Sequence, residues 1–422
     1  MCGCGPRKGE SMTRARPTPG GVQFSWEDLE ISLPVRRHPR EPEDCLAGKS
    51  SLTMQTIARL APIAAWLCMG LSACGGAGGA TSSSTSSLAD YPAVAVGHPP
   101  GASVRATTAA AALGRGVNFG NMLEAPNEGD WGLTVEQRFI DLLDGGTFAS
   151  VRLPVRWSNH ASADAAAVID PAFFARVDSV VDRLLAKGVY VVLNMHHYRQ
   201  LDGDALDAKE SPVDDAVVEV RFLAMWRQIA AHYKDRSDRL ILEVYNEPHG
   251  NLTGRWNDLM ARAVGAIRQH NPQRLIVVGP TSWNSASDLS KLVLPDDANL
   301  MLTVHNYEPF SFTHQGATWI NPVLPIGVDC CQADQLAQMA SGLDVAKAYS
   351  LKVGYPVFVG EFGAFSAADD AARLRYSRAM RNLIEARGMS WLYWELAAGF
   401  GVYDPSGAGA FRTDLKDALY GP

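Results

Sequence analysis

The sequence predicts an α/β fold, a closed (β/α)8 or TIM barrel, and three observations carry that expectation. Eight short apolar and β-branched runs alternate with longer segments of helical periodicity between Gly116 and Trp394. No second Pro/Gly-rich linker divides them. The turn after the first run, Gly116-Val-Asn-Phe-Gly-Asn121 followed by Met122-Leu-Glu-Ala125, lacks the second half of the GxGxxG phosphate turn that an open doubly wound sheet carries there.

Taken in order, the strands are expected at Gly116 to Gly120, Ser150 to Val155, Tyr190 to Met195, Leu240 to Tyr245, Leu275 to Gly279, Leu300 to His305, Val357 to Gly360 and Ser390 to Trp394. Between them, Pro171 to Leu185 repeats its apolar residues at helical spacing, with Pro171 in the first turn and Asp170 placed as the N-cap. Val220 to Tyr233 is a second helix of the same kind. A chain of 422 residues with 47% apolar side chains has ample material for the core of such a barrel.

A barrel gathers the residues at the carboxyl ends of its strands into one mouth. By this reading the mouth holds Asn121 and Glu124 after strand one, Arg152 on strand two, His196 and His197 after three, and Asn246 and Glu247 after four. Trp283 follows strand five, His305 and Tyr307 end six, Glu361 ends seven and Trp394 ends eight. Two carboxylates, Glu247 and Glu361, each follow a buried strand, and a matched pair of carboxylates is what a glycosidase works with. Trp226, Trp256 and Trp391 read as core residues.

A net charge of −7 argues against nucleic acid as a partner and fits a neutral substrate. Five of the seven cysteines, Cys2, Cys4, Cys45, Cys68 and Cys74, precede residue 75, so no disulfide framework or CxxC zinc pattern remains for the barrel. The adjacent Cys330 and Cys331 read as two free thiols, with a vicinal disulfide as the alternative.

The basic start at Met54 to Arg59, the uncharged stretch Leu60 to Leu71 and the small residues before Cys74 read as an export signal. Its Leu71-Ser72-Ala73-Cys74 end is similar to a bacterial lipobox, which implies lipidation of Cys74; an ordinary secretory signal is the alternative. The expected layout is a leader at 1–53 with translation starting at Met54, a signal at 54–73, a Gly/Ser/Thr linker at 74–104 and the catalytic domain at 105–422.

The motifs Asn246-Glu247-Pro248, Gly360-Glu361-Phe362-Gly363, Val151-Arg152-Leu-Pro154, Asn194-Met-His196-His197-Tyr198 and His305-Asn-Tyr307 resemble those of glycoside hydrolase family 5. Longer strings, Gly120 to Trp131, Phe312 to Trp319 and Gly399 to Asp404, resemble its bacterial endo-β-1,4-glucanase and mannanase branch. The resemblance runs from about Leu113 to Leu419 and weakens at Asn321 to Cys331.

It implies Glu247 as acid/base, Glu361 as nucleophile, Arg152 and Tyr307 as partners of the nucleophile, and Asn246, His196 and His305 as orienting residues. Asn121, Glu124, His197, His314, Trp319 and Trp394 are implied as substrate-binding positions, with a non-proline cis peptide after Trp394; Trp283, by its place after strand five, is a further substrate-binding candidate. The expected activity is retaining endo-hydrolysis of β-1,4-glucan, with mannan as the alternative substrate. No cofactor or metal, a monomer, and membrane contact only through the lipid are expected.

Two other classes compete with this reading. A metal hydrolase is disfavoured because the first strand lacks HxH and because adjacent strand residues, such as His196 and His197, are expected to face opposite ways. A non-catalytic surface carbohydrate-binding lipoprotein is disfavoured because Glu247, Glu361, Asn246, Arg152 and Tyr307 are all present.

Overall fold

The structure, a computed structural model, describes residues 86–422; the leader, the export signal with Cys74 and the Gly/Ser/Thr tract lie outside the described residues. Its strands are β1 (Arg115–Asn118), β2 (Ser150–Leu153), β3 (Tyr190–Asn194), β4 (Leu240–Glu243), β5 (Ile276–Val278), β6 (Leu300–His305), β7 (Val357–Glu361) and β8 (Trp391–Tyr393). Each pairs in parallel with the next, and β8 returns to β1, so the barrel is closed. Several strands stop a residue or two before the apolar run does, because those last residues leave the ladder to build the mouth.

Alternate strand residues fall into two layers. Val192, Ile241, Val277, Met301, Phe358 and Leu392, one from each of six successive strands, pack together inside the barrel. Their neighbours Val191, Leu240, Leu242, Ile276, Val278, Leu302 and Val359 join the larger core beneath the helices. Burial on both faces is why these strands read as continuous apolar runs.

Helix α1 (Val104–Ala112) closes the amino-terminal end: Ala106, Ala109 and Ala110 pack on the interior layer. The outer ring comprises α2 (Gln137–Asp141), α3 (Pro171–Ala186), α4 (Val218–His232), α5 (Trp256–Arg268), α6 (Ala333–Val353), α7 (Asp370–Glu385) and α8 (Thr413–Tyr420). As expected, Asp170 caps α3 by accepting from the Ala172 amide at 2.8 Å. After β5 the expected helix is replaced by a 3-10 segment, Ala286–Lys291. Trp226, Trp256 and Trp391 are buried, and each indole N–H finds an acceptor, Val244 O, Gly279 O and the Glu385 carboxylate.

The expected linker boundary at 104 is corrected. Tyr91 is fully buried, Arg262 donates to the carbonyls of Leu88 and Tyr91 at 3.0 Å each, and the Val94 amide donates to Ala261 O at 3.2 Å. Residues 88–103 therefore dock on the barrel, because Tyr91 supplies an apolar anchor that the Gly/Ser/Thr tract lacks.

Near the mouth the inward positions turn polar: Asn118, Arg152, Asn194, Glu243 and Thr303 are all fully buried. Glu361 joins them through an irregularity. The β6/β7 register shifts so that Val304 faces Val359 but His305 faces Glu361, leaving Gly360 unpaired between them. The extra residue re-aims Glu361 from the helix side to the mouth. Only glycine fits at the shift: a Cβ on Gly360 would meet Thr303 Oγ1 at 2.5 Å.

Candidate active site

Arg152 organises the floor of the mouth. A guanidinium has five N–H donors, and here all five are used. Nε and Nη2 grip Glu243 at 2.6 and 2.9 Å, Nη1 reaches Asn118 Oδ1 at 2.9 Å and Glu361 Oε1 at 2.7 Å, and Nη2 also reaches Asn246 Oδ1 at 2.7 Å. Arg152 can only donate, so the oxygen of Asn246 must face it, and the amide NH2 is left for a ligand.

Glu361 accepts at its second oxygen from the Tyr307 hydroxyl at 2.8 Å. Glu247 meets His305 Nδ1 at 2.7 Å, and the same nitrogen lies 3.6 Å from Glu361. Side-chain atoms of Glu247, His305 and Glu361 all fall within 4.8 Å of one another. The two carboxyl groups thus face each other across one small gap, nearer the separation of a retaining pair than of an inverting one.

Their environments differ. Burial pushes Glu247 up to about 7, opposed by the charges of Arg152 and His249. Burial raises Glu361 as well, opposed by His305, Arg152 and the Tyr307 hydroxyl. Arg152 is shared with Glu243, so its charge does not by itself hold Glu361 low. Even so, both Glu361 oxygens accept from fixed donors, which favours its ionised form, whereas Glu247 has no bonded cation.

Burial keeps His305 neutral by lowering it to about 4. The Asn284 amide lies 3.3 Å from its Nε2, an arrangement that assigns the proton to Nδ1 and makes His305 a donor to Glu247 Oε1. The other oxygen of Glu247 can then carry a transferable proton. His196 is also buried and held well below the ordinary histidine range; it contacts Asn194 at 3.2 Å and stacks on Trp394 with centroids 5.4 Å apart.

One ionised and one protonated carboxyl at this spacing can attack an anomeric carbon and protonate its leaving oxygen. A profile described as cellulase, glycosyl hydrolase family 5, matches residues 112–399. The chain belongs to this family.

Among its relatives, Endoglucanase H of Acetivibrio thermocellus is 32% identical over 74% of this chain, which covers only 33% of that protein's length. A solved structure of Thermotoga maritima Cel5A in complex with cellobiose aligns at 38% identity and a TM-score of 0.70, over 74% of this chain and 99% of the other. A second structure of that enzyme, in complex with mannotriose, aligns equally well at 38% identity and a TM-score of 0.70, with the same coverage of both chains.

The family 5 cleft has a volume of about 1820 Å³ and receives every residue expected at the mouth except Arg152, which lies beneath it. Trp283 and Trp319 stand on its rim, 57% and 58% exposed, as flat faces open to a ligand. Trp283 stacks on His249 at 4.7 Å, and Trp319 packs edge-on against Phe365 at 4.8 Å. His314 lies between Phe310 and Tyr307, and burial lowers it to about 4.

Glu124 is placed differently from the expectation. Its carboxylate accepts from the backbone amides of Asn121 and Met122, so it holds the first loop in shape while touching the cleft. Arg156, unremarked in the sequence, fixes that loop from below by donating to Glu124 O at 2.7 Å and pairing with Asp207 and Glu210 at 2.8 Å each.

The cis peptide expected after Trp394 is present. Cys330 and Cys331 form a disulfide, which corrects the free-thiol expectation: their Cα atoms lie 3.1 Å apart across a cis peptide bond. His196 and His197 do not face opposite ways, contrary to the expectation from strand alternation. Both line the cleft, because β3 ends at Asn194 and strand alternation no longer governs them. Two clusters of potential metal ligands exist among the described residues, Glu247 with His305 and Glu361, and Asp202 with Asp204 and His249.

Sequence reasoning missed Glu243 and Asn118. The available signal for Glu243 was an acid inside the apolar run Leu240 to Val244. Glu243→Gln sets an amide NH2 against one Arg152 donor and leaves Glu361 as the only carboxylate partner of that buried guanidinium, so it is expected to destabilise the fold by about 1.5–3 kcal/mol. Denaturant midpoints compared with wild type check this, and a change below about 1 kcal/mol would contradict it.

Proposed function

We propose that this chain is an endo-acting β-1,4-glucanase that works with retention, using Glu247 as acid/base and Glu361 as nucleophile. The observation that carries the reading is the pair of facing carboxyl groups, within 4.8 Å, of which only Glu361 bonds the guanidinium. Retaining glycosidases keep their carboxyls about 5–5.5 Å apart, and inverting ones about 6.5–9.5 Å.

In the first step the Glu361 oxygen attacks the anomeric carbon, the glycosidic C–O bond breaks, and the Glu247 proton passes to the departing oxygen. In the second step Glu247, now ionised, takes a proton from water. The resulting hydroxyl attacks the same carbon and releases Glu361. Asn246 offers its NH2 to the sugar 2-hydroxyl, and Trp394 lies flat beneath the reacting ring. Asn121, His196, His197, Trp283, His314 and Trp319 line the sugar path, while Glu124 shapes the first loop.

Proton NMR of the first product from a β-glucan tests the mechanism. The β-anomer is expected to appear first and then mutarotate; the α-anomer first would overturn retention. Mannan is the second reading, supported by the mannotriose complex of the similar Cel5A. Product release from carboxymethylcellulose and from mannan, measured side by side, ranks the two.

We further propose that the protein is exported, lipid-anchored at Cys74 and starts at Met54, on the strength of the signal-like run before that cysteine. Among the described residues no helix is long and apolar enough to cross a membrane. Mass spectrometry of the mature protein tests the anchor: a species retaining Met1 would overturn it.

A further inference from the structure

The backbone of Glu247 is held in an unusual shape. Its φ is +52°, in the left-handed region that L side chains rarely adopt. Its carbonyl accepts a hydrogen bond from His249 Nδ1 at 2.6 Å, so the ring two residues downstream grips the main chain of the acid itself. A carbonyl can only accept, hence Nδ1 carries a proton.

The rest of the ring is equally committed. Nε2 lies 3.2 Å from Asp204 Oδ2, and Asp202 Oδ1, buried and without another hydrogen-bond partner, lies 3.7 Å from Nδ1. One face of the ring stacks on Trp283 at 4.7 Å and 20° between planes. Trp283 is itself in the left-handed region, as are Ser282 and Asn284 on either side. His249 thus joins two strained segments, the acid and a wall of the cleft.

We infer that His249 is a positioning residue for Glu247: a protonated ring that locks the acid's backbone and braces Trp283, against which the departing sugar lies. The inference rests on the proposed role of Glu247.

The charges around the ring support it. Burial opposes protonation of His249, but Asp202, the Glu247 carbonyl and Asp204 outweigh it and raise His249 above the ordinary histidine range. Burial also pushes Asp202 up to about 7, against His249 and the Tyr245 hydroxyl. Arg199 pairs with Asp204 and Asp207 at 3.3 and 3.2 Å, which leaves Asp202 as the partner without a competing cation. The neighbouring His197 is neutral, held well below its ordinary range by burial and by cations that include His249.

A positive His249 favours the ionised form of Glu247 and so lowers its pKa. Removing that charge must raise it, and the alkaline fall of kcat/KM must move to higher pH. The hydrogen bond and the charge can be separated, because an asparagine amide can replace Nδ1–H but carries no charge.

The test uses the full chain with H249A, H249N and E247Q, on a soluble β-glucan and on dinitrophenyl β-cellobioside, whose leaving group needs no proton. H249A is expected to lose about tenfold or more on β-glucan while keeping the rate of the aryl bond-breaking step. H249N should recover most of the β-glucan rate, and in both variants the alkaline limb should lie about half a pH unit or more above wild type.

Equal losses on both substrates, or an H249N limb coinciding with wild type, would overturn the inference. So would a wild-type limb that moves on treatment with EDTA, since a metal ion would then sit among Asp202, Asp204 and His249. Failure of the underlying reading is distinguishable: E247Q would keep its β-glucan activity and its alkaline limb, whatever the His249 variants do.

Discussion

Glu361→Ala is expected to lower kcat on β-glucan by about 10⁴-fold or more, some 5 kcal/mol of barrier, while the folded state and substrate binding persist. On the proposed mechanism this carboxylate attacks the anomeric carbon, and alanine offers nothing in its place. The fold should survive because Arg152 retains its two-pronged contact with Glu243, with Asn118 and Asn246 still bonded. Added azide should enter the vacated space and yield a glycosyl azide of inverted configuration. A variant within tenfold of wild type, or one that binds no cello-oligosaccharide, contradicts the assignment.

Glu247→Gln is the second large effect, about 10²–10⁴-fold in kcat/KM on β-glucan, the usual span for removing a general acid. The pH profile is the sharper readout. As the proposed acid Glu247 has to carry its proton in the free enzyme, and burial places it at about 7, so wild-type kcat/KM should fall as pH rises through that value. Glutamine does not titrate, and the alkaline limb should vanish from the variant. Its amide oxygen can still accept from His305, which keeps the side chain in place and isolates the missing proton as the cause. An alkaline limb that persists near the same pH would assign the proton elsewhere.

Much of the site was legible in the sequence because closing a barrel turns one-dimensional spacing into a ring. Glu247, Glu361, His305, Tyr307 and Trp394 needed only to be placed at strand ends for the mouth to receive them. The strands themselves were legible because parallel strands with two buried faces leave long apolar runs.

What escaped depended on local backbone detail. Period-two alternation would have turned Glu361 outward, and only the unpaired Gly360 brings it in. His196 and His197 were misjudged because the strand stops before them. Glu243 was passed over because an acid within an apolar run gives no sign of its partner, which lies on another strand. The docking of residues 88–103 turned on one aromatic, Tyr91, within a segment whose composition otherwise resembles a spacer.

The saturation of Arg152 bears on how such an enzyme can acquire new substrates. With every N–H engaged by the protein, the guanidinium has nothing left to offer a sugar; it acts by bonding Glu361 and Asn246 and by its charge, which opposes the rise of Glu247. Changes of substrate are open at the rim, where Trp283 and Trp319 are largely uncovered. Exchange of the Trp319 ring, which packs on Phe365 and not on His249, can alter which polymer is held without disturbing the electrostatics beneath.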